Sequence, residues 1–160
     1  MGLGRLRHGE LLCGAASAAL LVLLALDWFE GEGLTATGYG GLGIVLVVLL
    51  VVLALLGLAL VVVTAKGRPV AWIMTADIWT SMLGILLVPA LLLRALVLQP
   101  ALDAGLGNTQ VALEPAGWAG LLVAVLIPVG SWLAMGDERK DAPESAYTPP
   151  PARPIPGAGS

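Results

Sequence analysis

The chain has very few of the side chains that carry most enzymatic chemistry. It contains one cysteine and one histidine in 160 residues. A single cysteine, Cys13, excludes an intrachain disulfide and a CxxC redox pair. A single histidine, His8, excludes His-based metal clusters and a Ser/His dyad inside a membrane. The sequence shows no pair of a nucleophile and a general base, so we expect a protein that is not an enzyme and that binds no cofactor or metal.

Charge is scarce as well. Only 12% of the residues are charged and the net charge is −3, with no cluster of Lys and Arg, so the sequence does not predict nucleic-acid binding. In contrast, 58% of the residues are hydrophobic, and the mean hydropathy of +0.94 is typical of bilayer proteins. The lipid bilayer is therefore the first partner that we expect.

Four long apolar runs account for this composition. A spanning helix needs ~20 mostly apolar residues, and three of the runs reach that length alone, while the first does so once residues 27–29 are added. The sequence predicts an all-α, polytopic protein whose four transmembrane helices form an up-down bundle within a single domain, residues 1–136. The predicted spans are residues 11–29, 42–64, 70–98 and 116–135.

The basic residues indicate an orientation. Residues 27–41 and 99–115 contain no Lys or Arg, whereas seven of the eight basic residues flank the other ends of the runs. Because Lys and Arg in short loops stay on the cytoplasmic side, we expect a multi-pass protein of the plasma membrane with both termini cytoplasmic. Arg5 and Arg7 before the first run also resemble a signal peptide, but residues 26–28 offer no small cleavage site, so we expect this helix to be retained.

Several local features refine this expectation. The Gly-rich residues 27–41 predict a turn-rich outer loop, and the short connection 65–69 makes the second and third helices antiparallel neighbours. The third run is longer than a membrane requires, so it must tilt, protrude or break. Tryptophans near the ends of the runs are expected to anchor at the headgroups: Trp28, Trp72, Trp118 and Trp132.

Small residues at four-residue spacing allow helices to approach closely. Gly14 and Ala18 have this spacing in the first run, and Ala116, Gly120 and Ala124 have it in the fourth. Packing within the chain and a dimer interface both fit the pattern, and we favour packing within the chain.

The composition changes after the fourth run. Residues 137–160 are polar and rich in proline, and such a segment cannot bury enough apolar surface to offset its chain entropy. We expect a disordered cytoplasmic tail. Residues 151–154 match PxxP, which binds partners as a preformed extended helix, but the match is short and we favour a simple tether.

Asp77 is the one ionisable side chain well inside a predicted span. Intramembrane carboxylates are candidates for handling ions, protons or substrates. Thr80 and Ser81 follow at i+3 and i+4 and share its helical face, and Thr64 ends the preceding run at comparable depth. Two other interpretations remain open: a hydrogen bond between helices, or a position ~10 Å past Val70 at which the carboxylate reaches water.

Arg94 is the exception to the charge pattern. Seventeen helical residues separate it from Asp77, or ~25 Å, so the two cannot pair and Arg94 belongs to the outer leaflet. It can extend toward the headgroups, contact an anion or lipid phosphate, or pair with an acidic residue of the outer connections. These acidic residues are Asp27, Glu30, Glu32, Asp103 and Glu114.

The layout resembles the small, uncharacterised four-helix integral membrane proteins of actinobacteria. The residues that carry the resemblance are a short Arg-containing N-terminus, Asp27-Trp28-Phe29 after the first run, Gly117-Trp118-Ala119-Gly120 opening the fourth, and residues 132–138 closing it. The resemblance covers most of residues 5–138 and implies an architecture without an assigned chemistry.

We therefore expect a non-enzymatic scaffold or accessory subunit that packs against other membrane proteins or further copies of itself. The alternative is a small transporter or channel subunit, in which an oligomer lines a path with Asp77, Thr80 and Ser81.

Overall fold

The structure is a computed structural model that describes residues 6–66, 70–102 and 111–141. The described chain is mostly helical. Four helices are long, and a fifth is a single short turn: α1 (His8–Leu23), α2 (Gly38–Gly41), α3 (Ile44–Ala65), α4 (Val70–Leu92) and α5 (Pro115–Asp141). Three strands, β1 (Asp27–Gly31), β2 (Leu34–Thr37) and β3 (Ala112–Leu113), form one sheet.

Three helical segments are long and apolar enough to cross a membrane. They are Ile44–Ala65, Ala71–Val97 and Pro115–Gly136. α1 has 16 residues, which is ~24 Å of helix and short of the ~30 Å hydrocarbon core. The prediction that the first helix continues through residues 27–29 is wrong, because these residues belong to β1.

α1 can end early because other groups satisfy its last carbonyls. The indole nitrogen of Trp28 donates to Leu23 O at 2.7 Å. The backbone nitrogen of Tyr39 donates to Leu24 O at 3.0 Å, and that of Gly38 donates to Leu26 O at 3.1 Å. Unsatisfied carbonyls are costly in an apolar environment, so these bonds make the helix end tolerable there.

The connection 27–41 folds as a β-hairpin followed by α2. The described chain is mostly helical, as predicted, but this connection is not, and the turn-rich loop expected here has regular structure. Gly31 pairs with Leu34, leaving the two-residue turn Glu32-Gly33. Both turn residues have positive φ, 48° and 81°, as a type I′ hairpin turn requires. β1 also pairs with β3, so the two connections that lack basic residues meet at one end of the molecule.

A bulge in β1 buries two consecutive aromatic side chains. The register with β2 shifts between Asp27 and Phe29, so Trp28 and Phe29 both point inward and both are fully buried. A Cβ at Gly120 would overlap the Trp28 ring, which shows how closely the ring lies against α5. The expectation that Trp28 anchors at the headgroups is therefore wrong. Trp72, Trp118 and Trp132 are 56–68% exposed, as that role requires.

α1 packs between α3 and α5 and runs antiparallel to both. Toward α3, Gly14 contacts Val61 and Gly57 faces Ser17. Toward α5, the backbone of Gly9 lies against Ala134, and Trp28, just beyond α1, lies against Gly120. α1 and the turn after it therefore run beside most of the apolar part of α5.

α4 completes the arrangement by packing against α3 and α5. Gly84 of α4 lies against the ring of Pro128 in α5. The segment after α4, Leu93–Val97, is a π-helix, so the long third run changes helix type near its C-terminal end. Residues 142–160 lie outside the described residues, as does the PxxP motif. α5 itself continues past the expected boundary at residue 136 to Asp141.

Large apolar side chains cover the outward faces of the long helices. Soluble proteins rarely expose a continuous apolar surface of this kind, whereas lipid tails solvate it. The exposed residues include Ile44, Val48, Leu55, Ile78, Leu86, Leu122 and Leu133.

Candidate functional site

A buried polar cluster joins α4 to α5. The Ser131 hydroxyl of α5 lies 3.0 Å from Oδ1 of Asp77 and 2.9 Å from the Asp77 carbonyl oxygen, and it donates to these acceptors. The Ser81 hydroxyl in turn donates to Ser131 Oγ at 3.0 Å. Asp77 and Ser131 are fully buried and Ser81 is 4% exposed. The result is a hydrogen-bonded chain from Ser81 through Ser131 to Asp77.

The structure brings together two of the three predicted site residues. Asp77 and Ser81 share the cluster, but the Thr80 hydroxyl donates to Ala76 O of its own helix at 2.8 Å. A threonine hydroxyl in a helix can donate to the backbone carbonyl four residues earlier, so Thr80 needs no partner on another helix. Thr64 is 7% exposed, and its hydroxyl has no hydrogen-bond partner among the described residues.

Ser131 is the site residue that the sequence reasoning missed. It is the only hydroxyl residue in the run 116–135, and that isolation among apolar residues was the available signal. Its spacing to Asp77 in sequence carries no information, because the pairing depends on how α4 and α5 pack.

Small and weakly polar side chains from α1 and α3 lie beside this cluster. The backbone of Cys13 packs against Gly130, the neighbour of Ser131, and a Cβ at Gly130 would lie 2.6 Å from Cys13 N. The Ser17 hydroxyl donates to Cys13 O at 2.7 Å and faces Gly57 of α3. Small residues thus allow the four long helices to approach closely around the polar cluster.

The chemistry open to this cluster is limited. A carboxylate buried among apolar helices must be hydrogen-bonded, paired or protonated, because an isolated buried charge is very costly. The Ser131 hydroxyl supplies one such bond from a second helix. Across residues 6–66, 70–102 and 111–141, no group of three His, Cys, Asp or Glu side chains is placed to hold a metal ion.

Arg94 lies at the other end of α4, within the π-helix. Its Nη2 donates to Gly41 O at 2.8 Å and its Nε donates to Leu42 O at 3.2 Å, which ties the π-helix to the junction between α2 and α3. The side chain is half-buried. Its contacts with the described residues are thus to backbone carbonyls, and Asp103, one of the acidic partners expected from the sequence, lies outside the described residues.

Several acidic side chains lie close together on the three-stranded sheet, at the same end of the molecule as Arg94. Glu30 in β1 pairs with Ala112 in β3, which brings its carboxyl group to Glu114. The hydrogen bond with Glu30 raises the pKa of Glu114 above its ordinary value, and burial and the charges of Glu30 and Asp27 act in the same direction. The two connections that lack basic residues therefore meet through the acidic side chains of Glu30 and Glu114.

Comparison with known proteins leaves the function to be argued from this geometry. No family model, no curated protein and no solved structure matches the chain.

Proposed function

We propose that the protein is a non-enzymatic, multi-pass protein of the plasma membrane that serves as a scaffold or accessory subunit for other membrane helices. In this proposal α1, α3, α4 and α5 form a four-span up-down bundle. The antiparallel packing of α1 beside α5 supports a fourth span, because α1 and its following turn accompany α5 from Ala134 to Gly120. The architecture of the small actinobacterial membrane proteins is part of the same proposal.

The observation that carries the proposal is the distribution of polar and apolar side chains. The polar cluster is closed inside one copy of the chain, where it joins α4 to α5, while the outward faces are apolar. A path between copies would need Asp77 and Ser81 on the outer face. Their burial favours a structural role for the cluster and leaves the outer surface for contact with lipid or partner helices.

One part of that surface is a groove between α4 and α5. It has a volume of about 380 Å³ and is lined by apolar side chains, among them Ile85, Pro89, Pro128 and Trp132. Transmembrane helices associate through such packed apolar surfaces.

Photocrosslinking tests the scaffold role. A photoreactive amino acid replacing Ile85 should crosslink to a discrete membrane protein in native membranes. The same amino acid at Val62, an exposed residue of α3, is the matched control. If position 85 yields only lipid adducts, or the same products as position 62, the groove is not a partner surface.

Substitution of Asp77 separates the scaffold from the transport alternative, which is supported by the presence of a carboxylate within a potential span, Ala71–Val97. Asp77→Asn keeps hydrogen bonding and removes the charge, so a structural cluster predicts near-normal stability. Asp77→Leu should destabilise the protein by ~0.6 to 2 kcal/mol, the range for interhelical hydrogen bonds in membranes. Reversible unfolding in detergent measures both.

Thr75→Val is the control for these substitutions, since the Thr75 hydroxyl is exposed and bonds only to Ala71 O of its own helix. The variants are also reconstituted in liposomes. Proton or cation flux that Asp77→Asn abolishes, in a protein of unchanged stability, would contradict the scaffold role and support transport.

A further inference from the structure

A second groove opens between the outer ends of α3 and α4. Its volume is about 420 Å³, and its walls are apolar except at one end, where Arg94 lies. Ile44, Val45 and Leu49 form the α3 side, and Leu87 and Ala90 form the α4 side. The groove faces outward, since Ile44 and Val45 are more than 70% exposed.

Arg94 is held in this groove by backbone carbonyl acceptors. The acceptors that fix its Nη2 and Nε are the neutral carbonyl oxygens of Gly41 and Leu42. A guanidinium has five N–H donors, so donors remain beyond these two contacts. Backbone carbonyls therefore hold the positively charged guanidinium at one end of the apolar groove.

The start of α3 adds to the positive potential at the same place. α3 begins at Ile44, and Gly43 precedes it with φ 88° and has no side chain with which to cap the first turn. The first backbone N–H groups of a helix have no partner within the helix, and the helix dipole makes this end positive. Both sources of positive charge adjoin the same apolar walls.

We propose that this groove binds an anionic phospholipid of the outer leaflet, with the phosphate on Arg94 and an acyl chain between α3 and α4. A phosphate complements a guanidinium. Because the groove is cationic at one end and apolar along its walls, only an amphiphile matches both parts. The proposal depends on the membrane embedding proposed above, and it assigns Arg94 a lipid-binding role that the scaffold proposal does not require.

The test measures lipid binding to the purified full chain in detergent by native mass spectrometry. Phosphatidylglycerol should bind more tightly than phosphatidylcholine. Arg94→Gln should weaken phosphatidylglycerol binding about fivefold, the effect of losing one cationic contact with an anionic lipid. Arg94→Lys, which keeps the charge, should retain most of the preference.

A second variant protects the test against misfolding of the Arg94 variants. Ala90→Phe fills the groove and leaves Arg94 in place, so it should also weaken phosphatidylglycerol binding. Val62→Phe, on an exposed part of α3 that lines neither groove, is the matched control and should bind as the unchanged protein does.

Three results would overturn the proposal. They are equal binding of the two lipids, unchanged phosphatidylglycerol binding in both Arg94→Gln and Ala90→Phe, and thermal stabilisation by inorganic phosphate that matches that by the lipid, which would indicate a free-phosphate site. A chain that stays in the membrane fraction but shows any of these results loses only the lipid site. A chain absent from that fraction refutes the membrane proposal itself.

Discussion

Asp77 illustrates how far a single residue could be interpreted from the sequence. Its position inside an apolar run marked it as exceptional, and the i+4 spacing correctly placed Ser81 on the same face. The hydrogen-bond donor, Ser131, is 54 residues away, and only the packing of α4 on α5 brings it within 3.0 Å. Helical periodicity predicts which residues share a face, but it does not predict which residues of another helix that face meets.

Glu114 provides a prediction about pH at the same scale. Its raised pKa means that the folded state favours the protonated carboxyl, mainly through the hydrogen bond with Glu30. The stabilisation from this group is complete below its ordinary pKa of 4.5 and is lost as the pH rises through the raised value. Glu114→Gln keeps a donor for Glu30 at every pH. The melting temperature of Glu114→Gln minus that of the unchanged protein should therefore increase from pH 4 toward pH 7.

Glu32→Gln is the control for this measurement. Glu32→Gln removes a carboxylate from the hairpin that contains Glu30, but Glu32 is not among the groups that raise the pKa of Glu114. Its melting-temperature difference should stay flat over the same pH range. A flat difference for Glu114→Gln as well would show that the two carboxyl groups do not share a hydrogen bond.

Among the secondary-structure elements, the β1–β2 hairpin is the main one that was not predicted from the sequence. Its signal was present in the sequence, because Glu32-Gly33 separates two short segments that contain Trp, Phe and Thr, residues favoured in strands. The abundance of glycine in residues 27–41 instead favoured the prediction of a turn-rich loop. β3 was harder to predict, because two residues carry no periodicity and pair only through a contact distant in sequence.

The contacts of α1 with its neighbouring helices also depart from the predicted pattern of small residues. Gly14 contacts Val61 of α3 and Gly120 contacts Trp28, so both pack within the chain as expected, but Ala18 is exposed. The closest backbone approach instead involves Gly9 and Gly130. Ala- and Gly-rich helices offer several faces with four-residue spacing, so composition alone does not identify the one that packs.

Gly130 tests the interface of α1 with α5. A Cβ there would lie 2.6 Å from Cys13 N, and backbone atoms cannot yield as a flexible side chain can. Gly130→Ala must push α1 away from α5, so we expect destabilisation of ~1 to 3 kcal/mol, the usual cost of overpacking. Reversible unfolding in detergent measures this change.

Gly136→Ala on the same helix is the matched control, because a Cβ there meets nothing within 4 Å. It should be neutral or slightly stabilising, since alanine favours a helix over glycine by up to ~1 kcal/mol. Equal stability of the two variants would mean that α1 does not pack against α5 as closely as the structure shows.

At the scale of the whole molecule, apolar and polar side chains are separated between the outside and the inside, whereas acidic and basic side chains are separated along the helices. Apolar side chains face outward around the helices, and the polar cluster lies within. Along the helices, the sheet collects Asp27, Glu30 and Glu114 at one end, whereas Lys66 follows α3 at the other. The sequence predicted this charge separation because it depends on short connections between long helices and not on the details of packing.

The charge separation predicts an orientation of the whole molecule in the membrane. By the positive-inside rule we expect the end with the sheet to lie outside the cell, and labelling of single cysteines in intact cells tests this prediction. With Cys13 replaced by Ala, Thr35→Cys in β2 should react with a membrane-impermeant maleimide, because Thr35 is exposed on the acidic end. Gly136→Cys, near the opposite end, is also exposed but should react only after the cells are permeabilised. The reverse pattern would invert the topology, and labelling of both positions in intact cells would contradict an odd number of membrane crossings between residues 35 and 136.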